Sequence, residues 1–172
     1  LYLANINYKI GYYNRYFSKL FLDFSYKKDR VNTHAIFQRI DIINKALNLN
    51  SKNYWPEIAT DKEDEKNIME IIKKYNLRKF ICIVPDASLE YKQWPLENFD
   101  HIIKYINKNY KHYKILLIGE NKEKINWLSE RNDVVVPPGL LNLRSTYLMF
   151  KKSSLVILHD GGPMHIAGVA KA

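Results

Sequence analysis

The sequence predicts an α/β fold in which a parallel β-sheet is covered by helices on both faces. Short apolar runs recur through the second half of the chain, and segments with apolar residues at helical spacing separate them. Strands that are apolar on both faces belong to sheets buried on both sides, and strands that alternate with helices pair in parallel. We therefore expect a Rossmann-like doubly wound domain over residues 78–172, preceded by the tail of a second domain over residues 1–77.

The predicted strands of this sheet are four apolar runs, at Phe80–Val84, 115–118, 134–136 and Leu155–Leu158. Turn residues bound each run, and a run this short favours a strand over a helix. The one cysteine of the chain, Cys82, lies in the first run. A single cysteine excludes an intramolecular disulfide and fits a reducing compartment.

Helices are predicted between and after these strands. A proline at the first helical position removes only an N–H that would be unpaired there, so Pro95 and Pro163 each predict a helix start. Asn142 is the expected N-cap of a helix over residues 143–150. A further helix is predicted over residues 121–130.

The first part of the chain is less regular. Within residues 7–13 a strand that ends at a glycine, Gly11, is predicted. A helix is predicted over residues 33–47 and a linker over residues 48–62. The next helix is expected to begin near Thr60, because Thr60 and Glu63 have the spacing of a capping box.

The chain is basic, with a formal net charge of +9, 21 Lys and 6 Arg among 172 residues. Such an excess of positive charge is compatible with three kinds of partner: a nucleic acid, an anionic membrane face or a phosphorylated substrate. The lysines are spread along the chain beside 17 Asn and 20 Ile, which indicates a background composition bias, and we expect no nucleic-acid partner. No apolar run reaches the ~20 residues of a membrane helix, so we expect a soluble, intracellular protein. The first residue is not Met and the last lies in an apolar segment, from which we expect a fragment cut at both ends.

The loop after the first strand is a candidate binding element, because ligands of doubly wound sheets bind outside the carboxyl ends of the strands. Residues 85–94 form a connection of ten residues, longer than usual for this position. Ser88 offers a hydroxyl and Lys92 a mobile charge, and both suit phosphate oxygens. The alternative, which we weigh equally, is that Lys92 is one of many solvated lysines.

Two acidic residues, Glu120 and Glu123, follow the second predicted strand. An acid at a strand end can accept hydrogen bonds from ribose hydroxyls. Glutamate is also favoured at a helix N-terminus by the helix dipole, and from the residues alone this explanation is the stronger.

The most specific motif follows the last strand, where the chain reads LHDGGPMH over residues 158–165. Gly161 and Gly162 leave the backbone bare, and Pro163 presets a helical turn whose N–H groups and dipole favour an anion. Asp160 is expected to cap this helix, orient the loop amides or accept a sugar hydroxyl. His165 is expected to donate to a phosphate or to pack under the loop.

A metal site in this motif is only weakly indicated. His159, Asp160 and His165 are three potential ligands within one turn, and a zinc site needs a fourth. We therefore predict no metal.

Three segments of the chain resemble the heptosyltransferases of glycosyltransferase family 9. They read VPDASLEYKQWPLENFDHIIKYI, ILLIGENKE and LNLRSTYLMFKKSSLVILHDGGPMHIAG. The resemblance implies a GT-B fold, with residues 1–77 at the end of the acceptor-side domain and residues 78–172 in the donor-binding domain. It also implies which residues contact a nucleotide-sugar donor: Ser88, Lys92, Glu120 or Glu123, Asp160, Gly161, Gly162 and His165.

The resemblance further implies an inverting transfer of heptose from ADP-heptose to the lipopolysaccharide inner core. The reaction would take place in the bacterial cytoplasm, at the surface of the inner membrane, without a cofactor or a chelated metal. The catalytic residue is unknown, because the general base of the family is a carboxylate that we expect outside this chain. We therefore expect a donor-binding fragment that is not active alone.

Two residues depart from the family pattern and keep alternatives open. Asp86 replaces a small residue and adds negative charge near the diphosphate, and Gly161 replaces a hydroxyl residue. One alternative is another GT-B enzyme, a transferase or an epimerase, that uses a UDP-sugar. The other is a binding module of the same fold without turnover.

Overall fold

The chain folds into two compact units, Leu1–Pro56 and Glu57–Ala172. The structure is a computed structural model that describes residues 6, 8–13, 20–27, 35–51, 55–87, 89–139 and 141–172. Ser88, one of the predicted site residues, lies outside the described residues.

Among its described residues, the first unit contains a two-stranded parallel sheet and a helix. Strand β1 (Ile10–Tyr13) pairs in parallel with strand β2 (Phe24–Lys27), and helix α1 (Ala35–Leu47) contacts β1. The hydroxyl of Tyr12 donates to the backbone carbonyl of Gln38, which joins strand to helix. The helix matches the sequence prediction. Strand β1 does not end at Gly11 as predicted but continues to Tyr13, and β2 was not predicted.

The second unit is built on a parallel sheet of strands β3 (Phe80–Val84), β4 (Lys114–Leu117) and β5 (Leu155–Leu158). Their order is β4-β3-β5, so β3 is central. The run predicted at residues 134–136 forms only a parallel bridge, from Val135 to Leu116 on the outer side of β4. The order along the sheet therefore reverses between β3 and β5, which makes the gap between these two strands a topological switch point.

Five helices cover the two faces of this sheet. They are α2 (Lys62–Lys74), α3 (Leu96–Asn109), α4 (Lys122–Ser129), α5 (Leu143–Lys152) and α6 (Gly162–Ala170). Helices α2, α5 and α6 bury apolar residues with one face, and α3 and α4 with the other. This arrangement confirms the doubly wound α/β fold. None of the helices that the structure describes is long and apolar enough to span a membrane.

The central position of β3 in the sheet explains why its sequence is wholly apolar. Cys82 packs toward the α2 side of the sheet and Ile83 toward the α3 side, and both are fully buried. Burial of an isoleucine side chain contributes about 1.5–3 kcal/mol. Burial also raises the pKa of the Cys82 thiol to about 12, so the thiol stays neutral at physiological pH.

Helix α2 belongs to the sheet unit, because Ile68 is fully buried in the same cluster as Phe80 and Cys82. The unit therefore begins at Glu57, earlier than the predicted boundary after residue 77. The helix is capped by Asp61 and Asp64, one residue later than the predicted Thr60 and Glu63 pair.

Candidate nucleotide-diphosphate site

Three loops meet at the carboxyl edge of the sheet. Residues 85–95 leave β3, residues 118–121 leave β4, and residues 159–161 leave β5. Since β3 and β5 flank the switch point, the first and the third of these loops border the crevice in which ligands of doubly wound sheets bind.

The backbone at the start of α6 is open. Gly161 is extended, α6 begins at Gly162, and no described side chain caps this helix. A Cβ added at Gly162 would meet no atom within 4 Å, and one at Gly161 would meet only Pro163, at 3.9 Å. The two glycine amides have no hydrogen-bond partner among the described residues. A helix N-terminus with uncapped amides favours a bound anion.

Lys92 reaches this helix start from the loop after β3. It ends a short 3-10 turn, Glu90–Lys92, and its Nζ lies 2.7 Å from Oδ2 of Asp160. The hydrogen bond and the charge of Lys92 lower the pKa of Asp160, and the charge of His165 lowers it further. Lys92, Asp160 and His165 are thus brought together beside Gly161 and Gly162. Asp160 binds Lys92, and the expected capping of α6 by Asp160 is not observed because Gly161 is the N-cap.

His159 fastens the same loop, a role that the sequence analysis missed. Its Nε2 accepts a hydrogen bond from the Trp94 backbone N–H at 2.7 Å, and its Nδ1 lies 3.3 Å from the carbonyl oxygen of Asp86. An Nε2 that accepts must be unprotonated, so the ring hydrogen of the neutral imidazole is on Nδ1 and can point at that carbonyl. The ring is buried and meets Phe99 edge-on at 5.1 Å. His159 therefore holds both ends of the segment that carries Lys92.

Asp86, which departs from the family pattern, is hydrogen-bonded to the loop after β4. Its Oδ2 accepts from the backbone N–H groups of Glu120 and Asn121, at 2.8 and 3.0 Å. The carboxylate is accommodated because residue 119 is glycine: a Cβ there would lie 2.4 Å from the same oxygen. The negative charge of Asp86 is therefore held by two amides.

A second contact joins the loop after β3 to helix α4. Nζ of Lys124 donates to the side-chain carbonyl of Gln93 at 2.5 Å, and the side-chain amide of Gln93 donates to the Ala87 carbonyl at 3.0 Å. Asp86 and His159 therefore tie the loop after β3 to both neighbouring loops, and Lys124 ties it to α4.

Glu120 and Glu123 are placed apart from the Lys92–Asp160 pair. Both side chains are exposed, Glu120 in the loop after β4 and Glu123 in the first turn of α4. Within the described ranges no hydrogen bond or ion pair joins either carboxylate to Lys92 or Asp160. No group of three or more metal-ligating side chains forms among the described residues, at His159 and His165 or elsewhere.

A small depression lies beside the loop of residues 118–121, at the carboxyl end of β4. It is lined by Leu117, Ile118, Gly119, Ile125, Val136, Pro137, Gly139 and Leu141. Strands β4 and β5 are separated by β3, so the depression begins two strand spacings, ~10 Å, from the strand that leads to Gly161.

The sequence profile described as Glycosyltransferase family 9 (heptosyltransferase) matches residues 1–171. The chain belongs to glycosyltransferase family 9. This membership confirms the resemblance that was drawn from three segments of the sequence. No curated protein sequence matches this family 9 chain significantly.

Several solved glycosyltransferase structures share the fold of this chain. A family 9 glycosyltransferase from Veillonella parvula superposes with a TM-score of 0.71, at 21% identity over 88% of this chain and 45% of its own. The Escherichia coli heptosyltransferase WaaC with ADP gives a TM-score of 0.65, at 17% identity over 90% of this chain and 48% of its own. The family 9 chain therefore spans about half the length of the structures that it matches.

Proposed function

We propose that this chain carries the donor site of a heptosyltransferase that uses ADP-heptose and a lipopolysaccharide inner-core acceptor. The observation that supports the proposal most is the Lys92 ammonium, 2.7 Å from Asp160, beside the uncapped start of α6. The switch point of the sheet thus offers a positively charged hydrogen-bond donor, the Lys92 ammonium, and two uncapped backbone amides. Both suit the paired phosphates of a nucleoside diphosphate.

In the proposed complex the diphosphate lies over Gly161 and Gly162. Their N–H groups donate to its oxygens, and Lys92 adds a charge-assisted hydrogen bond. Asp160 does not contact the phosphates, since like charges repel; it holds the Lys92 ammonium above the glycines. His165, whose charge acts on Asp160, is the second candidate donor to a phosphate.

These groups would act on the departing ADP. In the proposed inverting reaction a hydroxyl oxygen of the acceptor forms a bond to the anomeric carbon of the heptose. The bond from that carbon to the β-phosphate oxygen breaks, and its electron pair leaves with ADP. Lys92 and the amides stabilise the charge that develops on this leaving group. The proton of the hydroxyl passes to a base, which we expect outside this chain.

The nucleoside would extend from the diphosphate toward β4. Glu120 and Glu123 border that path, where a carboxylate can accept from ribose hydroxyls. The base would lie against the small depression that includes Gly119 and Val136. The role proposed for Ser88 rests on the family resemblance.

The choice of donor is supported by what the matched structures contain. WaaC was solved with ADP and with ADP-2-deoxy-2-fluoro heptose, and a further match with a TM-score of 0.54 is the Escherichia coli ADP-heptose lps heptosyltransferase II. We propose the same donor class for this chain. An acceptor of this kind places the reaction at the cytoplasmic surface of a bacterial inner membrane.

Titration calorimetry with ADP, UDP and AMP tests the donor proposal. We expect ADP to bind more tightly than UDP, and AMP to bind weakly because it lacks the second phosphate. Tighter binding of UDP would identify an enzyme for UDP-sugars instead. If circular dichroism shows a folded chain that binds none of the three, the chain is a binding module without a donor site.

A further inference from the structure

Asp86 joins the loop after β3 to the loop after β4 at the point where the two strands stop pairing. The backbone pairing of these strands ends at Ile118, whose N–H donates to the Ile83 carbonyl at 3.0 Å. Beyond it, the backbone N–H groups of Glu120 and Asn121 both donate to Oδ2 of Asp86, at 2.8 and 3.0 Å. One carboxylate oxygen therefore continues the connection between the strands into their loops.

The backbone of Glu120 is held from two sides as a result. Its own N–H is bound by Asp86, and the residue after it, Asn121, is the N-cap of α4. The side-chain oxygen of Asn121 accepts from the Lys124 N–H at 3.1 Å. The Glu120 side chain is exposed, and within the described ranges it forms no ion pair. The direction in which this carboxylate leaves the loop therefore depends on the backbone that Asp86 holds.

Gly119 leaves the space that the Asp86 carboxylate occupies. A Cβ at residue 119 would overlap Oδ2 of Asp86 and would lie 3.2 Å from Cδ1 of Ile125. Gly119 is not among the glycines with positive φ, so its backbone is compatible with alanine. An alanine at residue 119 would displace the flexible end of the Asp86 side chain from its two amides. Asp86 and Gly119 are therefore coupled.

Stability alone does not explain the acid at residue 86. Its second oxygen, Oδ1, is buried and has no hydrogen-bond partner in the part of the chain that the structure describes. No lysine or arginine of that part forms an ion pair with Asp86. Burying a carboxylate oxygen without a partner costs free energy, and such an atom in a folded protein needs a specific reason.

We infer that Asp86 is a positioning residue for the ribose of the donor and that it acts through Glu120. The inference rests on the proposed function, in which the nucleoside extends from the diphosphate toward β4. Asp86 follows β3, the strand between β5 and β4, so the ribose lies over the loops that Asp86 joins. One oxygen of Asp86 is engaged and the other is buried, whereas the carboxylate of Glu120 is open to the ribose hydroxyls. The inference also chooses between the two candidate acids, because Asp86 holds the amide of Glu120 and not that of Glu123.

Calorimetry with ADP and 2′,3′-dideoxy-ADP tests the inference. The two nucleotides share their base and phosphates, so the ratio of their dissociation constants reports on the ribose hydroxyls. The unaltered chain is expected to bind ADP about 10- to 100-fold more tightly, the effect of hydrogen bonds to a charged acceptor. In Asp86→Ala the ratio is expected to fall to within about threefold, chiefly because ADP binds more weakly. Damage to the whole site would weaken both nucleotides equally and leave the ratio unchanged.

The Asp86→Asn variant separates positioning from charge. Its side-chain oxygen can still accept from the two backbone amides, so most of the ratio should be retained. Glu130→Gln is the control, because it removes the same charge from an exposed position at the far end of α4, and the ratio should not change. If Asp86→Asn loses the ratio as completely as Asp86→Ala, the charge is responsible and the inference is overturned.

The Gly119→Ala variant tests the coupling. It should lower the ratio as Asp86→Ala does, because the added methyl group displaces the carboxylate from its amides. In the Asp86→Ala background the same substitution should change the ratio little further. Thermal unfolding identifies the variants that are folded. Fully additive effects of the two substitutions would contradict the inference.

The same measurements distinguish failure of this inference from failure of the proposed function. If the unaltered chain binds ADP and dideoxy-ADP equally well, the donor site stands and the role of Asp86 in ribose recognition is wrong. If Glu123→Gln removes the ratio and Glu120→Gln does not, the inference is overturned as well. A folded chain that binds neither nucleotide contradicts the proposed function, and the inference with it.

Discussion

The Lys92→Ala variant is expected to bind ADP about 10- to 100-fold more weakly than the unaltered chain. A hydrogen bond to a charged group contributes about 1.5–3 kcal/mol, which corresponds to a change of this size in the dissociation constant. The loss includes a second effect, because Asp160 would keep its charge beside the diphosphate without its partner at 2.7 Å. AMP affinity should change much less, since the contact with the second phosphate is the one removed. Calorimetry with both nucleotides measures the difference.

Lys122→Ala is the matched control for that experiment. Lys122 is an exposed lysine in the first turn of α4, at the same edge of the sheet, and its replacement changes the net charge equally. ADP affinity should stay within about threefold. If Lys92→Ala weakens ADP and AMP equally, Lys92 does not contact the second phosphate and its assignment is wrong.

The His159→Asn variant is expected to lose both stability and ADP affinity. Asparagine is too short to accept the Trp94 N–H, which His159 binds at 2.7 Å. An amide left without a partner costs about 1–3 kcal/mol, so a lower melting temperature is expected. The loop that carries Lys92 would be released at the same time, which should weaken ADP more than AMP. Thermal unfolding and calorimetry provide the two readouts.

The His159→Gln variant tests whether losing the hydrogen-bond acceptor for the Trp94 N–H causes the effects of His159→Asn. The glutamine oxygen can reach the position of Nε2, so this variant should restore most of the ADP affinity. His159 is a positioning residue that acts through Lys92; in the Lys92→Ala background, His159→Asn should therefore change ADP affinity little further. Full additivity of the two substitutions would show that His159 acts independently of Lys92.

The strands and the motif after β5 could be predicted from the sequence because their signals are local. The apolar run Phe80–Val84 is one short stretch of sequence. The end of β5 before Gly161 and Gly162 is another. The family resemblance assigned Lys92 and Asp160 to one donor site, and the structure brings the two side chains together. The run at residues 134–136 was overpredicted, because only Val135 pairs with β4.

The contacts that fix the loops could not be predicted in this way. Asp86 binds amides that lie 34 and 35 residues further along the chain, and His159 binds the amide of Trp94 across 65 residues. Neither contact leaves a periodic signal. The excess charge of Asp86 could be noticed in the sequence, but its two amide partners become neighbours only when β3 and β4 pair.

Selective ¹⁵N labelling of glycine offers the most direct measurement of whether the start of α6 binds a diphosphate. The chain has six glycines, so its spectrum contains six backbone signals, which single Gly→Ala variants assign. On addition of ADP, the amide signals of Gly161 and Gly162 should shift most, and that of Gly168, near the other end of α6, should shift much less. Inorganic pyrophosphate should move the same two signals in the same direction. Binding of ADP that leaves Gly161 and Gly162 unmoved would contradict the proposed site.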